Sequence, residues 1–382
     1  MVSSRKQNGS EITSLNYFAE IGMPGSSVCR SSLSEARSKV SWECFAYLLD
    51  ELNRAKEPVT WKGHRVRACD GSYVTLPASE EILEHFPRRK SQQSRTHYPK
   101  GLLLVVTDIL TGIPSAARIG SDEGSERAML TSMLDGFEAG DVLLLDRGYE
   151  GADHLYEIHK RGQNFITRVR AGESASLHVQ TLLKSGKKSI IVEVKPSTGA
   201  AYPVRLLRKG RDRAGHPIVL CTNLIEKSKA SNQEIYKLYL RRWEVETMYY
   251  RVKQLFSMEK FYARSLNGVL QEVWANLFIL GLTSFAVHAT NTTTKMSAPN
   301  FKNASEVVRR HLHLSIRSQL TKRLALRWAG EMLEQIARIQ CQKQKGRKNP
   351  RISKQSGIKW NIHRPLAKNR PPRPRNKQRT AA

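Results

Sequence analysis

Residues 142–149 read Val-Leu-Leu-Leu-Asp-Arg-Gly-Tyr: four apolar side chains in succession, then a carboxylate, an arginine and a glycine. An apolar run of that length, bounded by polar residues, is a short buried strand, and Asp146 stands at its C-terminal tip. In α/β sheets that tip is where ligand groups are presented, which makes Asp146 a candidate for chemistry. An Asp in this place can equally cap a helix that starts near Gly151.

Upstream of this run, Glu126 to Phe137 has helical periodicity, and Leu102–Ile109 and Ile113–Ile119 form a hairpin joined at Thr111-Gly112. Farther upstream, Val66, Ala68 and Asp70 lie on one side of a strand that Ser72 to Leu76 continue, because side chains alternate along β-structure. Downstream, Ala152 to Lys160 reads as a helix and Phe165 to Val169 as another strand. Three antiparallel strands followed by alternating helices and parallel strands predict an α/β fold with a ribonuclease-H-like core, a mixed sheet flanked by helices. Asp70 sits in Ala68-Cys69-Asp70-Gly71-Ser72, beside a glycine that lets another backbone or a ligand approach. The same Asp-Gly-Ser pattern also describes a turn or a bulge.

Beyond Val169 the rhythm changes to short β-type runs, Ser189–Val194 and Val204–Arg208 among them, separated by Gly, Pro and Lys. Helix returns from Ser231 to about Gln254, and a nearly unbroken apolar stretch runs from Leu270 through His288. The predicted organisation is an N-terminal, mostly helical region (1–60), the first part of the core (61–170), a β-rich insertion (171–224), the remainder of the core (225–295), a C-terminal helical region (296–341) and a basic tail (342–382). The tail holds fourteen Lys or Arg, no Asp or Glu and five prolines. Such a segment buries too little apolar surface to offset chain entropy, so disorder is expected unless a polyanion binds it.

The chain carries 63 Lys and Arg against 34 Asp and Glu, a formal net charge of +29, of which the tail supplies about half. Charge of that size points to a polyanion, with nucleic acid ahead of a membrane surface or an acidic protein. No apolar run approaches the roughly 20 residues that a membrane span needs, and no secretory leader is expected behind Met1 to Asn8. Cysteines at 29, 44, 69, 221 and 341 form no C-x-x-C pair, consistent with reduced thiols in a cytosolic protein.

The most specific block is YLRRWEVETMYYRVK, residues 239–253. Tyr239, Arg242, Glu246 and Lys253 step by 3, 4 and 7 residues and project from one stripe of a helix, an acid between two bases. A solvated helix with i, i+4 ion pairs gives the same pattern. Tyr239, Trp243, Met248, Tyr249 and Tyr250 oppose that reading, because they make much of the circumference fit for burial.

Asp-Gly-Ser on a first strand, Asp-Arg-Gly-Tyr after a later one and Tyr-x2-Arg-x3-Glu-x6-Lys on a helix together resemble the DDE transposases of bacterial insertion sequences. The branch is the insertion-sequence-four family, named for its Tyr-Arg-Glu-Lys signature, and the match runs from roughly Ser34 to Leu280. The resemblance implies that Asp70, Asp146 and Glu246 are the catalytic residues and bind two Mg²⁺ ions, with Mn²⁺ able to substitute. Carboxylates are the hard oxygen ligands such ions need, and two ions suit in-line phosphodiester displacement. It also implies that Tyr239, Arg242, Lys253 and Arg168 contact DNA phosphates. The implied partners are double-stranded DNA, as element ends and as target, and a second copy of the chain in a synaptic complex, in the cytoplasm on the nucleoid. A nuclease without strand transfer and a catalytically silent DNA-binding relative share parts of this pattern. A glycosidase-like acid pair lacks an aromatic sugar cleft here. Two departures stand out. Where some relatives place a Trp that stacks on a flipped base, this chain has Ile218, with no Trp between Gly172 and Leu224. The region before Ser34 is also shorter than the family's usual end-binding domain.

Overall fold

Strand β1 (Val66–Thr75) pairs antiparallel with β2 (Lys100–Asp108), from Arg67 opposite Asp108 to Thr75 opposite Lys100. Strand β2 pairs in turn with β3 (Ile113–Ser121). The hairpin closes at Gly112, whose φ of 75° lies in the left-handed region where glycine is at ease. The Asp108 carboxylate accepts from Leu110 and Thr111 N–H in the same turn. On its other edge β1 meets β4 (Val142–Leu145) in parallel, over only three residue pairs, and β4 meets β5 (Asn164–Val169), also in parallel. This is the ribonuclease-H-like strand arrangement expected from residues 66–169. The computed structural model describes residues 29–87, 98–121, 124–172, 174–212, 215–251, 253, 261–294, 299–317 and 321–339. The basic tail and the segment before residue 29 lie outside the described residues.

Strands β6 (Ser189–Val194), β7 (Tyr202–Arg211) and β8 (Pro217–Thr222) come from the β-rich stretch. They do not form a sheet of their own. Strand β8 joins β5 antiparallel, giving eight strands in the order β3-β2-β1-β4-β5-β8-β7-β6. A short helix, Leu177–Lys184, capped by Ser176, precedes them where short β-type runs are expected from the sequence.

Alternation along the strands sorts the core into two layers. Val66, Ala68, Val142 and Leu144 face one side of the sheet, against Val245, Met248 and Tyr249. Cys69, Leu143 and Leu145 face the other, against Met129, Leu130 and Leu155. On that second side lie α4 (Glu126–Thr131) and α5 (Ala152–His159), numbered after α1 (Arg30–Ser38), α2 (Glu43–Ala55) and α3 (Glu80–His85). Helix α4 is shorter than the expected 126–137 because the chain tightens into a 3-10 turn at Leu134–Gly136, where Asp135 and Gly136 are weak helix formers.

The helix expected from Ser231 onward is also interrupted. With the Leu177–Lys184 helix counted as α6, α7 (Asn232–Leu240) gives way to a 3-10 turn at Arg241–Trp243 before α8 (Glu244–Tyr250). Two guanidinium groups leave the chain at that turn: Arg241 donates to Ile109 O at 2.7 Å, and Arg242 is buried. Helix α7 starts on a capping box, with Ser231 accepting from Glu234 N–H and the Glu234 carboxylate accepting from Ser231 N–H.

Helix α9 (Leu266–Thr294) is the apolar stretch read from the sequence, extended at both ends. Its segment Leu266–Asn291 is long and apolar enough to cross a membrane. Here it is a core helix, packed on α2, β3 and the C-terminal helices α10 (Phe301–Arg317) and α11 (Lys322–Arg338). Gly281 permits the approach to α2, since a Cβ there would lie 3.0 Å from Leu49 Cδ1. Trp42 stacks on Trp274 at 5.7 Å, and Arg37 reaches the buried Glu272 at 3.0 Å.

Behind the β1–β4 junction, Arg67 Nε donates to Asp141 Oδ2 at 2.7 Å in a buried ion pair. Removing one partner leaves an uncompensated buried charge, so Arg67→Met should cost about 3–5 kcal/mol in denaturant unfolding. A second expectation concerns pH. Burial, helped by the Arg127 charge, pulls His154 down to about 4. An unfolded His titrates near 6.5, so between those values the unfolded chain binds more protons and stability falls as pH falls. The loss should approach roughly 3 kcal/mol by pH 4. His154→Leu should flatten stability over that window.

Candidate active site

The β1–β4 register sets the site. Val66 pairs with Val142 and Ala68 with Leu144, and two residues farther along, just past the last paired residues, Asp70 comes beside Asp146. Both share parity with the layer that faces α7 and α8. The strand end therefore opens a cleft floored by two carboxylates and roofed by the 3-10 turn carrying Arg242 and by α8 carrying Glu246.

Asp146 Oδ1 accepts from Gly148 N–H at 2.7 Å, capping the 3-10 turn Arg147–Tyr149, and Thr167 Oγ1 donates to Asp146 O at 2.9 Å. The capping alternative raised by the sequence thus holds for this turn rather than for α5. Asp70 Oδ1 accepts from Gly71 N–H at 3.1 Å. Its carboxyl is pushed up to about 6, first by burial, then by the neighbouring Glu126 and Asp146 carboxylates; the Gly71 N–H and Arg242 act in the opposite direction. A cation is what such a place favours electrostatically.

Arg242 ties the cleft together. Its Nη2 lies 3.1 Å from Glu246 Oε1, and it acts on Asp70, Asp146 and Tyr239 through its charge. Burial works against that charge, yet the surrounding Tyr239, Glu246 and Asp146 hold its pKa above the ordinary arginine value. Its Nε has no hydrogen-bond partner among the described residues, and neither has Arg168 Nε. Tyr239 is buried and hydrogen-bonded to Arg242, within reach of the Asp146 and Arg168 charges. Arg168 Nη2 donates to Asp212 Oδ2 at 2.8 Å. Lys253 Nζ donates to Tyr73 O at 3.1 Å, on the same strand as Asp70.

Asp70 and Asp146 are thus neighbours, whereas Glu246 turns to Arg242. Among the described residues, no three His, Cys, Asp or Glu side chains converge as a group that could hold a metal ion. The donor set nevertheless suits a hard divalent cation, being carboxylate oxygen on both strand ends and on the helix above.

Three residues to which the sequence assigned no role shape this cleft: two tyrosines within the quoted blocks and one glutamate outside them. Tyr249 Oη lies 2.7 Å from Asp70 O and 2.8 Å from Leu103 O, sharing its proton between two carbonyls and pinning α8 to the sheet. Glu126, the first residue of α4, occupies the space beside Gly71 that a side chain would fill: a Cβ there would fall 2.4 Å from its carboxyl carbon. Tyr149 Oη donates to Glu126 Oε2 at 3.0 Å and lies 3.4 Å from Cys69 Sγ. The glycine of Asp-Gly-Ser is therefore explained by a fourth carboxylate from a distant helix, which no local pattern in the sequence announces.

The model of the transposase DDE domain matches residues 61–282. The chain belongs to the DDE transposases. It is 23% identical over 306 residues to transposase InsG of insertion sequence element IS4 from Escherichia coli K12, covering 75% of this chain and 68% of that one. Among solved structures, the piggyBac transposase synaptic complex with hairpin DNA is similar at a TM-score of 0.46 and 12% identity, over 84% of this chain and 66% of that one. Endonuclease V of Ciona intestinalis bound to DNA is similar at 0.23 and 12%, over 51% and 86%.

The Gly71–Glu126 contact predicts an energetic coupling. An alanine at 71 must expel the Glu126 carboxylate from Tyr149, so Gly71→Ala and Glu126→Ala should each destabilise, and the double variant should lose less than their sum. Chemical denaturation of the cycle should give a coupling of about 0.5–3 kcal/mol. Strict additivity would show that Glu126 does not occupy that gap.

Proposed function

We propose that this DNA transposase binds the ends of its element and carries out strand cleavage and strand transfer with Asp70, Asp146 and Glu246 as the residues that hold two Mg²⁺ ions. The observation behind this reading is the pairing of Asp70 and Asp146 on one face at the strand ends, beneath the helix that carries Glu246. When bound, the ions supply activation of a water or 3′-hydroxyl and stabilisation of the leaving oxygen.

The chain's own residues have distinct parts in this account. Arg242 offers a planar, doubly donating group and a buried Nε in want of a partner, which suits a phosphate oxygen pair. A phosphate arriving at Arg242 takes the place of Glu246 in the existing ion pair and frees that carboxylate, whose side chain is still 42% exposed. Arg168 is set to exchange Asp212 for phosphate in the same manner. Tyr239 holds Arg242 in place from within the helix, and Lys253 adds a point charge along β1. Burial of the cleft strengthens each of these contacts relative to water.

Joining two element ends to one target requires two copies, so the active species in this reading is a homodimer on double-stranded DNA, at the nucleoid. The test uses DNA carrying the ends of the encoding element, with Mg²⁺. Asp70→Ala, Asp146→Ala and Glu246→Ala should each bind that DNA yet cut and join on the order of 10³-fold or more slowly than the parent. Parental rates in Asp146→Ala and Glu246→Ala would mean the carboxylates are structural.

A further inference from the structure

A second site lies at the far side of the strands that extend the core sheet. A cavity of about 440 Å³ opens between the Gly186-Lys187-Lys188 link, the end of β7, β8 and the first turns of α7. Lys187, Lys188, Arg208 and Lys209 line it, and no carboxylate does. Its floor is apolar, from Leu207 and Leu220, and Tyr236 forms a wall with Lys209 Nζ 4.8 Å from its ring centroid. The Arg208 guanidinium turns to the other layer, where its Nη1 donates to Leu183 O at 3.5 Å. Three lysines gathered around one hollow repel one another, and a fold does not gain by assembling them without an anion to cancel them.

The register fixes where this hollow stands relative to the cleft. Arg168 on β5 is directly opposite Leu220 on β8, and Leu220 is directly opposite Leu207 on β7. Cross-strand partners share a face, so Arg168, Leu220 and Leu207 form one row leading from the cleft to the cavity floor. Two strand spacings make that row roughly 10 Å long. Each strand of a duplex rises about 3.4 Å per nucleotide along the helix axis, so a duplex lying with its axis along the row covers it in about three nucleotides. Helix α7 runs alongside: Tyr236 at the cavity and Tyr239 at the cleft are three residues apart, neighbours on one helix face.

We propose that this cavity is a phosphate-binding site for DNA, holding backbone phosphates about three nucleotides from the scissile one. The distance rests on the catalytic cleft proposed above. The cavity adds affinity and fixes the direction in which the strand leaves the cleft, without reading bases. Lysines on an apolar floor suit this role, since the stems can rest on Leu207 and Leu220 while the ammonium groups meet the anion.

Equilibrium binding tests it with the full chain, on a duplex carrying the element end, across a salt series. Lys187→Ala, Lys188→Ala and Lys209→Ala together should lower the magnitude of the slope of log K against log salt by about 2–3, close to one unit per lost phosphate contact. A control with the same charge loss takes Lys39, Lys160 and Lys229 to Ala, each of which is paired with a carboxylate away from this cavity. It should leave the slope nearly unchanged. Duplexes with a single methylphosphonate then locate the contact. The parent should lose affinity when the neutral linkage stands about three nucleotides from the cut, and the cavity variant should be indifferent to it. Equal slope changes in variant and control, or the same methylphosphonate profile in variant and parent, would overturn the proposal. Both readouts are of binding, so they stand apart from the catalytic result: an Asp146→Ala protein that still cuts would sink the triad reading and leave this site untouched.

Discussion

Three parallel residue pairs between β1 and β4 carry the geometry of this transposase. They bring Asp70 level with Asp146, and a slip of one residue would send one carboxylate to the opposite face of the sheet. The register is held from both sides. Behind it, Arg67 and Asp141 form a buried ion pair that only this pairing satisfies. Above and below, two apolar layers accept alternate residues of the same strands. A correct core and a correct carboxylate pair are thus one structural condition.

The cost of this arrangement appears at Asp70, whose carboxyl is pushed up by burial and by two neighbouring acids. Tyr249 bears on the constraint by bonding to the Asp70 carbonyl, which holds α8 and therefore Arg242 over the cleft. Arg242 partly offsets the accumulated negative charge, and its link to Glu246 keeps the third carboxylate near without placing it between the first two. A cleft organised in this way is balanced by an internal arginine. The extra strands β6 to β8 continue the same sheet, so the basic cavity on them is tied to the cleft by backbone register rather than by a flexible link.

Much of this was legible in the sequence. The run Val142–Asp146 and the alternation at Val66, Ala68 and Asp70 define the strands and their carboxylates, because burial on a sheet imposes a period of two. Tyr239, Arg242 and Glu246 are legible by helical spacing, although the 3-10 turn at Arg241–Trp243 breaks the continuous helix that spacing predicted. What stayed hidden depends on contacts between distant segments. Glu126 enters the site through the missing side chain of Gly71, and Tyr149 holds it there; neither pairing leaves a trace in local composition. The same holds for the merger of β8 with β5, since a strand's sequence does not name its neighbour.

If Asp70, Asp146 and Glu246 share bound divalent ions, as proposed, iron-directed cleavage of the polypeptide should map them. Fe²⁺ bound in place of Mg²⁺, with ascorbate and peroxide, generates hydroxyl radicals that cut the chain near the metal. Cuts are expected around residues 70, 146 and 246, suppressed by excess Mg²⁺ and lost in Asp146→Ala. Cuts elsewhere, or the same cuts in Asp146→Ala as in the parent, would contradict the proposal.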